Sequence, residues 1–303
     1  MRTAIWRSNI ARIASSVDGL IPVVKGNGYG FGRLQLAKMA ADFCDTVAVG
    51  TVHELEGLPT DLTAVVLTPT LTRPHSSAAI LTVGHERHIE ELQGWGGRVT
   101  VKLASSMQRF GRGPELIEQA RQAGLEVVSL SIHPPLTGSA EDHRDEITAL
   151  IKGPLAGIEE DLPIWVSHLD PISYAALPPS RTYRLRIGTA LWHGDKSALH
   201  LSADVLDVRP VVVGEAAGYR LTPAETTGHV VIVGAGTAHG AFELPNGASP
   251  FHFGRTRMTL HEPPHMHSSM TIVPTGDPLP GIGDRVDLQR PLHTTMVDEY
   301  EWL

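Results

Sequence analysis

Along the first two thirds of the chain, apolar positions come in short unbroken runs separated by stretches of helical period. The runs fall at residues 20–25, 46–50, 64–68, 79–83, 99–103, 127–133, 164–168 and 183–187. Several are apolar at consecutive positions, the pattern of strands covered on both faces in a parallel sheet. Between them, residues 34–43, 88–92, 114–123 and 146–151 repeat apolar side chains at helical spacing. Eight strands with interleaved helices predict a (β/α)8 TIM-type barrel over residues 8–197, in preference to an open doubly wound sheet. At about 190 residues the barrel is compact, which predicts short helices in its connections. A brief opening strand over residues 3–6 is expected before a helix that Ser8 is placed to cap.

The texture changes after Ala198, where helical periodicity gives way to short β-rich runs. They lie at residues 205–208, 211–213, 229–233, 251–253, 270–273 and 285–288, punctuated by turns such as Pro245-Asn246-Gly247 and Pro280-Gly281-Ile282-Gly283. This predicts an all-β domain over residues 198–303. Composition adds exclusions. The chain of 303 residues is 42% hydrophobic and 19% charged, with a formal net charge of −8, which argues against nucleic acid as the main partner. A single cysteine, Cys44, excludes an internal disulfide and suits a reducing compartment. The first residues show no apolar leader and no run is long enough to span a membrane, so a cytoplasmic protein is expected.

One stretch carries concentrated chemistry: Val23-Val24-Lys25-Gly26-Asn27-Gly28-Tyr29-Gly30-Phe31-Gly32. It reads as an apolar strand ending in a lysine, then a glycine-rich turn, then a helix. A lysine there is costly unless paired or used covalently, and a lysine with a lowered pKa is the prerequisite for a Schiff base. The bland alternative is a strand–turn–helix whose lysine reaches out to solvent. The stretch resembles the pyridoxal-phosphate lysine motif of alanine racemases, V-V-K-A-N-A-Y-G-H-G, with glycines for the two alanines and Phe31 for the histidine.

Other segments extend the resemblance. Residues 214–222, from Gly214-Glu215 through Gly218-Tyr219 to Thr222, are similar to the family's G-E-S-V-G-Y-G-x-T, which puts Tyr219 on the catalytic tyrosine. Arg186-Ile187-Gly188-Thr189-Ala190-Leu191 resembles R-P-G-I-A-L. This implies that Arg186 faces the cofactor's ring nitrogen and that Gly188 and Thr189 bind its phosphate with Tyr29. Residues 101–111 resemble L-K-V-D-T-G-M-x-R-L-G. Lys102 then falls on a lysine that is carbamylated in many members, and Arg109 on the arginine that orients cofactor and substrate; Ala104 replaces the aspartate. A plain strand lysine paired with a carboxylate is the alternative for Lys102. His133 matches a histidine stacked on the cofactor ring, although Pro134 and Pro135 depart from the family. Ser167 is assigned to the phosphate. Met266 falls at the substrate rim, where His267 replaces an aspartate.

The resemblance implies a pyridoxal 5'-phosphate enzyme that interconverts L- and D-alanine, or a similar small amino acid. Lys25 and Tyr219 would act on opposite faces, in a homodimer with shared sites, and residues 1–7 would be an opening strand that joins the β domain. Two rivals remain: a lyase or dehydratase on the same scaffold acting on a D-hydroxy amino acid, and a non-catalytic cofactor-binding protein of the kind found among small single-barrel relatives, which lack a β domain. The first prompts a look at His261-Glu262-Pro263-Pro264-His265-Met266-His267, since metal-dependent relatives carry a histidine motif in the β domain. There the motif follows a G-D-x-V strand, whereas here Gly283-Asp284-Arg285-Val286 comes later. That order favours the racemase alignment and no metal.

Overall fold

The computed structural model describes residues 1–158 and 161–303. The chain divides into two compact units, one of Ala4–Lys196 and one of Ser197–Leu303 together with Met1–Thr3.

The first unit opens with α1 (Thr3–Ser16), so residues 3–6 are helix and the expected opening strand is absent. The reason is legible in the burial: Trp6, Asn9, Ile10 and Ile13 are its buried residues, spaced three and four apart on one helical face. Trp6 is 1% exposed and donates its indole N–H to the Trp192 carbonyl at 2.7 Å. A parallel sheet follows: β1 (Leu20–Pro22), β2 (Thr46–Val49), β3 (Thr63–Val66), β4 (Ile80–Val83), β5 (Arg98–Lys102), β6 (Glu126–Ser131), β7 (Ile164–Ser167) and β8 (Tyr183–Ile187). Neighbours run in sequence from β2 to β8, and β8 pairs with β1. A parallel bridge between Val23 and Ala48, with the Val24 N–H donating to the Ala48 carbonyl at 2.8 Å, joins β1 to β2 and closes the barrel.

The helices of this unit are α2 (Arg33–Ala40), α3 (Glu86–Glu91), α4 (Glu115–Gln122), α5 (Ala140–Lys152), α6 (Pro171–Ala175) and α7 (Thr189–His193). Between β2 and β3 there is a single 3-10 turn, Val52–Glu54, and between β3 and β4 no helix at all. Helix α5 begins six residues before its apolar stretch at 146 because Ser139 caps it. The Ser139 hydroxyl accepts the Asp142 N–H, and Asp142 accepts the Ser139 N–H in return.

The second unit is β-rich: β9 (Ser202–Val211), β10 (Ala216–Ala217), β11 (Thr222–Pro223), β12 (Gly228–Val233), β13 (Phe251–Phe253), β14 (Thr256–Arg257), β15 (Thr259–Leu260), β16 (Ser269–Pro274) and β17 (Arg285–Leu288). Seven of these form one sheet in the order β14-β13-β17-β9-β12-β16-β15, and β10 and β11 form a separate two-stranded ribbon. The runs at 205–208 and 211–213 are not two strands. Residues Ser202–Val211 are a single strand running through Pro210, and Val212 and Val213 lie exposed beyond it. Among the described residues no helix is long and apolar enough to cross a membrane.

Candidate active site

In a parallel barrel the strand carboxyl ends and the loops after them share one mouth, where function concentrates. The glycine-rich loop leaves β1 at this mouth. β1 stops at Pro22, so Lys25 is on the loop and open to solvent, not buried at a strand end. Glu54 fixes the loop, accepting the N–H groups of Gly26 (3.1 Å) and Gly50 (2.7 Å) through one carboxylate oxygen. Lys25 is nevertheless drawn below the ordinary lysine pKa. Partial desolvation is the largest cause; the Arg109 charge adds to it, Glu54 opposes it, and Arg186 lowers it further.

Tyr29 adopts a left-handed backbone (φ 55°) held by the turn around it, and its carbonyl meets His193 Nε2 at 2.7 Å. Its hydroxyl reaches the backbone of Gly188. A Cβ at Gly188 would lie 1.9 Å from Tyr29 Oη, so the close approach needs glycine at 188. Burial pushes the Tyr29 phenol up to about 12, which keeps it a proton donor at neutral pH. Gly188 begins α7 with no side chain capping it, so the first amides of that short helix, including that of Thr189, meet no capping side chain.

The barrel interior next to this loop holds cations. Arg186, on β8, is buried and donates to the Ile132 carbonyl at 2.8 Å, with longer contacts of 3.4 Å to the Val166 and Trp165 carbonyls. Burial, aided by Arg109, brings it down to about 10, still a cation at neutral pH. Lys102, at the end of β5, is 4% exposed and its Nζ has no hydrogen-bond partner. Desolvation lowers it to about 6, reinforced by Arg186 and Arg109 and resisted by Glu146. The expensive buried lysine is therefore Lys102, not Lys25. Cross-strand from Lys102 stands Ser131, and cross-strand from Ser131 stands Trp165; their Oγ and Nε1 also lack partners.

His133 follows β6 and shares a short hydrogen bond with Ser167 through Nδ1. Desolvation first, then Arg186, His168, Lys102 and Arg109, pull it down to about 2, so it is neutral at physiological pH. His168 packs against it, ring centroids 4.5 Å apart, and His143 on α5 reaches the His168 carbonyl at 2.9 Å. Arg109 is exposed on the loop after β5, its guanidinium 5.0 Å from the Phe110 ring centroid. Glu146 on α5 grips that loop, accepting the Ser106 N–H at 2.6 Å and the Ser106 hydroxyl at 2.9 Å. Lys25, Tyr29, Lys102, Arg109, His133, Ser167, Arg186, Gly188 and Thr189 thus all belong to this mouth. No motif marks Glu54, which serves it through backbone amides, or Glu146, which serves it through an amide and a hydroxyl.

Tyr219 and Met266 belong to the β unit. Tyr219 sits at the tip of the β10–β11 ribbon with its side chain 86% exposed, and Met266 is exposed in the loop before β16. His265 is engaged with Glu262 and with the Tyr219 ring, and His267 stacks edge-on to His239 at 5.7 Å.

A closed parallel barrel with a lysine loop and clustered cations at one mouth, in a chain that continues into a β unit, is the build of fold-type III pyridoxal-phosphate enzymes. The model of the alanine racemase N-terminal domain matches residues 2–194, and the chain belongs to the alanine racemase family. A comparison with curated protein sequences returns no match. Among solved structures, the alanine racemase of Bartonella henselae with covalently bound pyridoxal phosphate aligns at 17% identity and TM-score 0.71, over 98% of this chain and 96% of that one. The Bacillus anthracis alanine racemase with bound L-Ala-P aligns at 18% identity and TM-score 0.73, over 99% and 86%. The alanine racemase from E. faecalis aligns at 20% identity and TM-score 0.69, over 95% and 86%. At these identities the structures share the fold.

Proposed function

We propose that this chain is a pyridoxal-phosphate-dependent amino-acid racemase acting on alanine or a similarly small amino acid. The observation that carries the reading is the convergence of Lys25 with Arg109 and Arg186 at one mouth, above a buried Lys102 that has no partner. A cluster of cations and orphaned donors suits a ligand with a phosphate, a phenolate and a carboxylate. The contact between Tyr29 Oη and the Gly188 backbone adds a cradle that a Cβ would fill. The residues present therefore fit pyridoxal phosphate. In this reading Tyr29, Ser167, Gly188 and Thr189 hold its phosphate, His133 flanks the ring, Arg186 faces the ring nitrogen and Lys25 is the point of attachment.

When bound, the cofactor supplies the electron sink that makes the amino-acid α-proton acidic. The protein does the rest. Lys25, its pKa lowered, gives up its ammonium proton more readily than a free lysine, which suits it to be the attachment amine and the group that moves the α-proton on its own face. Arg186 is a donor that keeps its proton at neutral pH, so it would donate to the ring nitrogen of the bound cofactor without protonating it. Arg109 orients the substrate carboxylate. Inversion needs a second acid–base group on the other face, and Tyr219 of a second copy, with Met266 at the rim, fills that role in a homodimer. Lys102 is neutral above about pH 6, as addition to CO2 requires. Its amine adds to the carbon, one proton leaves, and the single negative charge of the resulting carbamate would offset part of the positive charge of Arg109 and Arg186.

The attachment is tested by reconstitution with pyridoxal phosphate, borohydride reduction and peptide mapping. A reduced pyridoxyl group on Lys25 is expected; label at another lysine, or none, would contradict the reading.

A further inference from the structure

Tyr219 is the least sheltered of the proposed catalytic groups, and the structure explains how it is nonetheless held. The Ala217–Thr222 pair closes the β10–β11 ribbon, leaving residues 218–221 as the loop at its tip. Two of the four, Gly218 (φ 80°) and Leu221 (φ 52°), have left-handed backbones. A ribbon of two residue pairs does not fix such a tip by its own ladder. What fixes it lies beneath, between β15 and β16. Glu262 is 5% exposed, and its two oxygens accept the N–H groups of Tyr219 (3.1 Å) and Arg220 (3.3 Å). The carboxylate seats only against glycine, because a Cβ at Gly218 would fall 2.4 Å from Glu262 Oε1.

His265 completes the support. Its Nε2–H donates to the same Glu262 oxygen, and its ring stands edge-on to the Tyr219 ring with centroids 4.5 Å apart. The ribbon is tied once more by His261, whose Nε2 meets the Ala217 carbonyl at 3.2 Å. Burial would raise the Glu262 pKa, yet the hydrogen bonds from Tyr219, His265 and Arg220 outweigh it and hold the carboxyl below its ordinary value. Glu262 is thus an anion that three donors share.

We infer that Glu262 and His265 are positioning residues for the Tyr219 proton-transfer step: the carboxylate pins the main chain at 219–220 and the imidazole edge sets the plane of the phenol ring. The inference rests on the racemase reading. It assigns the histidine-rich segment at 261–267 to the geometry of a catalytic tyrosine. Misplacing a reacting group by an ångström costs up to about 100-fold in rate, so loosening this support should slow one proton transfer selectively.

The test compares α-proton exchange with inversion in D2O for each enantiomer of the small amino acid that the wild type racemises, alanine first, using wild type, Tyr219→Phe, Glu262→Gln and His265→Ala. Overall rates in the two directions are tied by the equilibrium constant, so the ratio of exchange to inversion is the informative readout. In Tyr219→Phe, the enantiomer whose α-proton faces Lys25 should still exchange while inversion fails. Glu262→Gln and His265→Ala should raise the same ratio for that same enantiomer by about 10-fold or more. His265→Phe, which keeps a ring but loses the bond to Glu262, should fall between wild type and His265→Ala. If Tyr219→Phe is selective but the other variants lower exchange and inversion in proportion, or change neither, the positioning role is wrong. If Tyr219→Phe is not selective, it is the two-base reading itself that fails. His265 is partly exposed, so His265→Ala remains informative if Glu262→Gln does not fold.

Discussion

At the scale of single residues the two lysines exchange the roles that their sequence context suggests. Lys25 ends an apolar run and reads as the costly buried cation, but the strand stops three residues earlier and its side chain is open to solvent. Lys102 falls by resemblance on a carbamylated lysine, with a plain strand lysine paired to a carboxylate as the alternative, and it is the one sealed without a partner. Its pKa falls from 10.5 to about 6, and the sign of the consequence follows. Below about pH 6 both folded and unfolded chains carry the proton, and the full cost of burying the charge is present. Between about 6 and 10.5 the unfolded chain binds a proton that the folded chain does not, so stability rises with pH. Lys102→Met should therefore stabilise the cofactor-free protein in CO2-depleted buffer, on the order of 2 kcal/mol at pH 6. The gain should shrink as pH rises toward 10, and denaturant melts across that range check it. A pH-independent difference would place the amine in contact with water. Gly188→Ala should drive Tyr29 Oη out of its place and weaken pyridoxal phosphate binding about 10-fold or more in a spectrophotometric titration, the loss of a hydrogen bond to a charged group.

At the scale of elements the eight barrel strands were legible because a parallel strand buried on both faces writes itself as an unbroken apolar run. Val47, Ala48 and Val49, or Leu81 and Val83, are fully buried whichever face they present. The start of helix α1 is not legible in the sequence because the side chains at residues 3–6 show no clear period on their own. The pattern emerges only when Trp6 is counted with Ile10 and Ile13. Contacts made through backbone amides left no sequence signal at all. The grip of Glu146 on Ser106 is in part such a contact, made through both the amide and the hydroxyl, and it holds the loop that carries Arg109. Glu146→Gln and Ser106→Ala should raise KM for the amino acid about 5-fold while leaving kcat within about 2-fold, as loss of one or two exposed hydrogen bonds implies. Steady-state kinetics check this, and an unchanged KM would mean that Arg109 is held by other contacts. Glu262 was hidden for the same reason: a carboxylate capturing main-chain N–H groups belongs to no motif, although its spacing from His265 places the two within reach.

At the scale of the whole molecule, the family and the barrel-plus-β build were readable from a few motifs, because the lysine loop after β1 and the arginine near the end of β8 lie where the barrel needs them. The rim was not readable. Ala104, Pro134 and His267 depart from the family pattern, and substrate choice depends on such positions. If Lys25 and Tyr219 come from different copies, Lys25→Ala and Tyr219→Phe should each be inactive alone. Mixed after reversible dissociation, they should recover roughly a quarter of wild-type activity, since half the dimers are mixed and each mixed dimer has one intact site. No recovery would place both residues in the same copy's site. The central claim, that this mouth removes and returns an α-proton with inversion, is tested most directly by proton NMR and chiral chromatography. The reconstituted protein is incubated in D2O with L-alanine and other small L-amino acids. The account predicts that at least one acquires α-deuterium and becomes racemic, and that Lys25→Ala abolishes both changes. Amino acids that all keep their α-protons and their chirality would contradict it.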